Sequence, residues 1–256
     1  AAQGEGALEL QSLILGELGL EVPVATTQVV GRDRYIEWVG WMANVATSIE
    51  KILQEVRNLQ RTEIGEVAEE FDAKKQVGSS TMAHKKNPIT AENACGLARV
   101  VRSMIIPSYE NALLWHERDL ANSSSERFTL SHSMILLDDV ISKCDKVLSG
   151  LIVNRDRMRK NIEDQNGLIM AEKIMLELVD RGMPRDLAHE ELRSASMEAV
   201  ESGSNLQDIC RNSDGIMKFF EEEEVANLFA PETHLGSSEK IVDNSVSMAR
   251  EMCSKY

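Results

Sequence analysis

The sequence predicts an all-α protein, a long-helix bundle followed by a small helical domain. Three observations carry this. Apolar residues recur at helical spacing over an unusually long stretch, from about Arg32 to Phe71. Aromatics are only 4% of the residues, while Leu, Ile, Val, Met, Ala and Glu are abundant, a mix that packs helices through aliphatic side chains. Only five prolines occur in 256 residues, so long helices need not be interrupted. No strand-like alternation of any length and no internal repeat is visible.

The elements follow in order. Leu8, Leu10, Leu13, Ile14 and Leu18 form a short helical pattern ending near Gly19, and Val22-Pro23-Val24 breaks it. Thr26, Thr27 and Gln28 make a polar turn. The long pattern from Arg32 to Phe71 includes Ile36, Val39, Met42, Val45, Ile49, Leu53, Val56, Ile64 and Val67. As one helix it would be roughly 60 Å long, beyond an ordinary globular helix and suited to an elongated bundle. A polar loop at 78–88 follows. A second helix is expected from Pro88 to about Ile106, with Asn87 as N-cap, Pro88 in the first helical position and Pro107 as its stop. A short helix is expected at 109–115. Ser123-x-x-Glu126 matches a capping box and predicts a third long helix to about Val153. Beyond Asn154 the helical patterns shorten and are punctuated by Gly167, Gly182-Met183-Pro184, Gly203, Gly215 and Pro231. The expected domains are therefore 1–154, the long-helix bundle, and 155–256, the small helical domain. The acidic run from Glu221 to Glu224 reads as a solvated helix face.

Composition narrows the function. A net charge of −14 argues against a general nucleic-acid surface, and a polyanionic substrate would need a local cluster of Arg and Lys. Cys95, Cys144, Cys210 and Cys253 are isolated, without CxxC or metal-ligand spacing, and read as reduced thiols in a cytoplasm. No apolar run approaches the roughly 18 residues needed to span a membrane. The first residues show no secretory pattern, and a start at Ala1 without Met is that expected of a piece of a longer protein.

The densest chemistry lies in Gly78-Ser79-Ser80-Thr81-Met82-Ala83-His84-Lys85-Lys86-Asn87-Pro88. A serine hydroxyl is a poor base unless activated. Two lysines and the following helix N-terminus supply positive charge for that purpose, or for holding a substrate carboxylate. Removing a proton from the carbon beside a carboxylate creates an aci-carboxylate, which Lys and Asn N–H groups can stabilise. Gly78 permits the backbone to bend. Spacing alone does not choose between Ser79 and Ser80.

A second constellation spans residues 115–127. In one continuous helix Arg118 and Arg127 would face opposite ways, nine residues apart, so convergence requires a turn between them. The expected cap at Ser123 supplies it and leaves Ser123 and Arg127 on one face. A helix start with two arginines suits a phosphate; a charged interhelical loop is the plainer alternative. Thr27-Gln28 ahead of Arg32 is either a polar helix start or a binding element, and Arg32 can simply pair with a carboxylate. Among the histidines, His84 is either exposed or near substrate, and His116 reads as a packed or hydrogen-bonded support. None of the five belongs to a zinc motif, so no metal is expected.

The 78–88 string resembles the signature loop of the fumarase/aspartase superfamily. Its continuation His84-Lys85-Lys86-Asn87-Pro88-Ile89-Thr90-x-Glu92-Asn93, with Trp115-His116-Glu117-Arg118-Asp119, is similar to the adenylosuccinate lyase branch. Ala83 departs from the family's usual Pro and removes no reactive group. The resemblance implies β-elimination of fumarate from adenylosuccinate to give AMP, and from the related succinocarboxamide ribotide, without organic cofactor or metal. It implies Ser79 as base and Ser80 as its neighbour. Lys85 and Asn87 would sit on the carboxylate, with Glu92 orienting an active-site group. Gln28, Met82, Arg118, Ser123 and Arg127 would bind the substrate, the last three at the phosphate. It further implies a small-molecule nucleotide substrate and a homotetramer with active sites shared between subunits. The family's acid histidine is expected upstream of Ala1, so these 256 residues alone are expected to be inactive or nearly so. The rival expectations are an argininosuccinate or carboxymuconate type of lyase, and a non-catalytic helical assembly module.

Overall fold

The computed structural model describes residues 4–70, 86–116 and 118–255. Helices dominate them; the only strands among the described residues are Val67–Ala68 (β1) and Ile152–Val153 (β2), an antiparallel pair with Val67 opposite Val153. The chain divides into two units, 1–153 and 154–256.

In the first unit, α1 (Ala7–Glu17) precedes α2 (Asp33–Leu59), α3 (Ile89–Ser103), α4 (Ile105–Glu110) and α5 (Ala121–Ser149). The apolar spacing on α2, α3 and α5 produces one shared core. Val39, Met42 and Ala46 of α2 meet Ala98 and Val101 of α3 and Leu137 of α5. Small residues on α3 let the helices approach closely, and Glu50 of α2 straps α3 through Arg99 at 3.4 Å and Arg102 at 2.5 Å. The start of α3 is tied to residue 69, just beyond the C-terminal end of α2. Near the opposite end of α2, Ile105 of α4 lies against Gly40. α3 therefore runs back along α2. α5 runs forward again, with Glu126 bonded to Arg32 at the start of α2 and Gly150 against Glu70 beyond its end.

Several boundaries differ from the sequence expectation. α2 stops at Leu59 instead of Phe71, so it spans about 40 Å. The chain turns at 60–66, where Ile64 and Gly65 both donate to the Arg61 carbonyl (2.9 and 2.7 Å) and Gly65 takes a left-handed φ of 64°. Val67 fits the helical spacing but is buried in β1. Pro107 does not end α3, which stops at Ser103; it lies early in α4, where its missing N–H costs little. The helix expected at 109–115 is thus displaced to α4. The Ser123 capping box does not form. α5 begins at Ala121, whose N–H donates to Asp119 Oδ1 at 2.9 Å, and Ser123 already lies within its first turn.

In the second unit, α6 (Arg155–Glu163) is capped by Asn154, whose Oδ1 accepts the Arg157 N–H at 3.1 Å. It is followed by α7 (Ala171–Asp180), α8 (Arg185–Ser202), α9 (Leu206–Asn212), α10 (Asp214–Met217), α11 (Glu222–Leu228) and α12 (Ser238–Cys253). Ile174 and Leu178 of α7, Ala188, Leu192 and Ala195 of α8, Leu206 and Cys210 of α9, and Ile216, Phe220 and Val225 form its core. Glu221–Glu224 is more than a solvated face. Glu224 accepts the Glu221 N–H at the start of α11 (2.8 Å) and binds Arg181. Cys95, Cys144 and Cys210 are buried, Cys253 is exposed, and all four are free.

Candidate active site

The described candidate residues fall into two groups, one at each end of α2. At the N-terminal end, the turn carrying Gln28 leads into Arg32, the residue preceding α2. Arg32 makes a two-pronged contact with Glu126 of α5, Nε to Oε1 at 2.6 Å and Nη2 to Oε2 at 3.1 Å. Buried Asn122, one turn earlier on α5, donates to Glu126 Oε1 at 2.9 Å. Burial acts to raise the Glu126 carboxyl, but the hydrogen bonds from Arg32 and Asn122 with the Arg32 charge outweigh it and hold the group below the usual carboxylate range. Arg32 is thus committed to a structural carboxylate. The pair anchors the Gln28 turn to the first two turns of α5, which carry Ser123 and Arg127 four residues apart on one face. Gln28, Arg118 and Arg127 are exposed and Ser123 is half-buried. Arg118 lies outside α5, in the segment before it, with its N–H donated to the Trp115 carbonyl at 3.0 Å. The turn needed between the two arginines therefore exists, but it lies ahead of Ala121 and not at Ser123. Of the two readings of His116, the packed one does not hold, because the residue is exposed, with a left-handed φ of 43°.

At the C-terminal end of α2 stand Asn87 and Glu92. Asn87 is half-buried and Glu92, in the first turn of α3, is exposed. Both line an open cleft of about 820 Å³ with Arg57, Arg61 and Lys86, a local excess of cations in an acidic chain. Gly78, Ser79, Ser80, Met82, His84 and Lys85 lie outside the described residues.

The start of α3 departs most from the expectation. The capping position falls on Pro88 instead of Asn87, and Pro88 supplies no side-chain cap. The Ile89 N–H donates to the Asn87 carbonyl at 2.9 Å, and the Glu92 N–H closes the first helical bond on Pro88 at 2.8 Å. The two N–H groups between them, of Thr90 and Ala91, donate to the carboxylate oxygens of Glu69, both at 3.1 Å. Every first-turn donor therefore has a partner within the chain. The positive end of this helix, expected to serve the substrate, is occupied by Glu69. Sequence reasoning missed Glu69 because its cap arrives from more than twenty residues away, where no local capping pattern marks it. Among the described residues no group of three or more His, Cys, Asp and Glu could hold a metal ion. No helix among them is long and apolar enough to cross a membrane.

Two family models match the chain, one described as "Lyase" over residues 7–103 and one as "Adenylosuccinate lyase C-terminus" over residues 167–245. It is 43% identical over 252 residues to an adenylosuccinate lyase of Archaeoglobus fulgidus, covering 98% of this chain and 56% of that protein. It is 46% identical over 243 residues to one of Methanothermobacter thermautotrophicus, covering 95% and 54%. The crystal structure of 3-carboxy-cis,cis-muconate lactonizing enzyme from Pseudomonas putida superposes with a TM-score of 0.84 at 28% identity, covering 98% of this chain and 55% of that one. The helical bundle and these matches place the chain's fold in the fumarase/aspartase superfamily. Within it, the chain belongs to the adenylosuccinate lyase family. It spans about half the length of the curated relatives it matches.

Proposed function

We propose that the protein is a carbon–nitrogen lyase of purine biosynthesis. It would eliminate fumarate from adenylosuccinate to leave AMP, and from the succinocarboxamide ribotide to leave the carboxamide ribotide. Ser79 takes the proton from the carbon beside a substrate carboxylate. The released electron pair becomes the new C=C bond of fumarate, the C–N bond breaks, and a general acid protonates the departing nitrogen. Lys85 and Asn87 stabilise the aci-carboxylate, Ser80 and Met82 lie beside the substrate, and Glu92 orients the cationic groups. Gln28 holds the nucleotide, and Arg118, Ser123 and Arg127 take its phosphate.

The separation of the two residue groups carries this reading. They stand at opposite ends of α2, about 40 Å apart, too far to act on one nucleotide within one chain. A complete site therefore needs more than one copy, as in a homotetramer with shared sites. Exposed apolar side chains on the bundle helices support such packing: Trp38 and Trp41 stack at 5.0 Å on α2, and Phe128 and Ile135 project from α5. The substrate assignment is supported by the adenylosuccinate lyases at 43% and 46% identity, against 28% for the muconate enzyme. Free cysteines fit a cytoplasmic setting.

The test uses the complete gene product carrying this sequence. Ser79→Ala and Ser123→Ala variants should each lose nearly all fumarate release from adenylosuccinate while keeping the wild-type oligomer by light scattering. Mixing and reassembling the two should restore activity, because some shared sites then draw an intact half from each copy. Inactive hybrids beside an active wild type would reject the shared site, and turnover of argininosuccinate alone would reject the substrate.

A further inference from the structure

Segment 71–85 leaves and re-enters the described chain through one small cluster. On the upstream side Glu69 is only 6% exposed, and its N–H donates to Gln60 Oε1 at 2.8 Å. On the downstream side the Thr90 and Ala91 N–H groups donate to the two Glu69 oxygens. Gln60 completes the circuit, its Nε2 donating to the Lys86 carbonyl at 3.2 Å. Gln60 directly follows α2, and β1 is paired to β2 just ahead of Glu69, so the cluster stands on the rigid end of the bundle.

A buried carboxylate is costly unless its oxygens are satisfied, and this one is satisfied by two backbone donors at the positive end of a helix. A local cap would travel with α3. A cap donated by residue 69 instead makes the position of the first turn of α3 depend on residues 60–69. Asn87 and Glu92 flank the two capped N–H groups, so they move if that turn shifts.

We propose that Gln60 and Glu69 are positioning residues, a clasp that joins the flanks of segment 71–85 and sets where Asn87 and Glu92 stand. This rests on the lyase reading of Asn87 and Glu92. It also assigns the charge balance: Glu69 neutralises the helix end, so side chains and not the α3 dipole meet the substrate carboxylate.

Two variants of the complete gene product test it. Glu69→Gln keeps size and one acceptor but turns an NH2 toward a backbone N–H. Gln60→Leu removes both arms of the amide at similar volume, and serves if Glu69→Gln fails to fold. Each should lower kcat for fumarate release from adenylosuccinate by up to about 100-fold, as misplacing a catalytic group by an ångström does, with KM nearly unchanged. Amide exchange at Thr90 and Ala91 should accelerate in both, and Glu69→Asp, which keeps the charge, should recover part of kcat. A purely structural role would lower the melting temperature and leave kcat per folded assembly at the wild-type value; that result overturns the clasp alone. A wild type that releases no fumarate overturns the lyase reading instead. The clasp is then judged by exchange, and unchanged protection of Thr90 and Ala91 overturns it.

Discussion

Arg32 and Glu126 lie 94 residues apart in sequence, yet two hydrogen bonds lock the start of α2 to the second turn of α5. Their side chains are only 14% and 17% exposed, and the Arg32 guanidinium also donates to the Val30 carbonyl. Removing one partner leaves a largely buried charge with less than it needs. Arg32→Met should therefore cost about 2–3 kcal/mol, read as a lower urea midpoint. The pH dependence has a definite sign. Glu126 titrates below its ordinary 4.5 in the folded chain, so its contribution is present above that value and fades as pH falls through the lowered one. Arg32→Met should flatten the loss of stability below pH 4.5; an unaltered profile would remove the pair from the account.

The sequence made the helices legible because 3.6-residue periodicity is strong over long amphipathic runs: α1, α2 and α3 lie inside their expected patterns, and α5 overlaps its own but starts two residues earlier, at Ala121. It did not make the ends legible. The apolar spacing continues through Ile64 and Val67, and only the left-handed Gly65 shows that the chain has already turned. Ser123-x-x-Glu126 has the form of a capping box, but Glu126 gains more from Arg32 and Asn122, both invisible to a local pattern. The same holds at α3, where Asn87-Pro88 has the form of a helix start and the cap comes from Glu69. The motif residues are local in sequence, whereas the side chains that fix the geometry around Ser123 and Asn87 are distant and carry no motif.

In the second unit, Arg181 joins α7 to α11. Its guanidinium lies 4.5 Å from the Phe220 ring centroid and donates to both oxygens of Glu224, at 2.8 and 3.0 Å. These bonds, with the Glu221 N–H, bring the Glu224 carboxyl from 4.5 down to about 2. A lowered folded value means stability that is present above 4.5 and is lost as pH falls toward 2. Glu224→Gln should therefore lose this contribution at neutral pH, seen as a somewhat lower stability there, and reduce the acid sensitivity of the second unit across that window, followed by far-ultraviolet circular dichroism. An acid transition identical to wild type would show that other carboxylates dominate it.

Gly167 holds the entry to α7 in a conformation other residues resist. Its φ is 76° and follows an equally left-handed Asn166 at 49°. A methyl group there would stand 2.9 Å from Phe229 Cε1 and 3.1 Å from Asn205 Oδ1. Phe229 packs on the core of the second unit, and Asn205 Oδ1 caps α9 by accepting the Gln207 N–H at 2.9 Å. Gly167→Ala therefore combines backbone strain of about 1–2 kcal/mol with overpacking of about 1–3 kcal/mol. Gly182 provides the comparison, because its φ is 101° but an added methyl group would meet nothing within 4 Å. Gly182→Ala should show the backbone cost alone. The difference between the two urea midpoints measures the clash, and adding Phe229→Leu to Gly167→Ala should return part of it. Equal losses in the two alanine variants would mean that Phe229 and Asn205 yield freely, and that the left-handed turn alone requires glycine at 167.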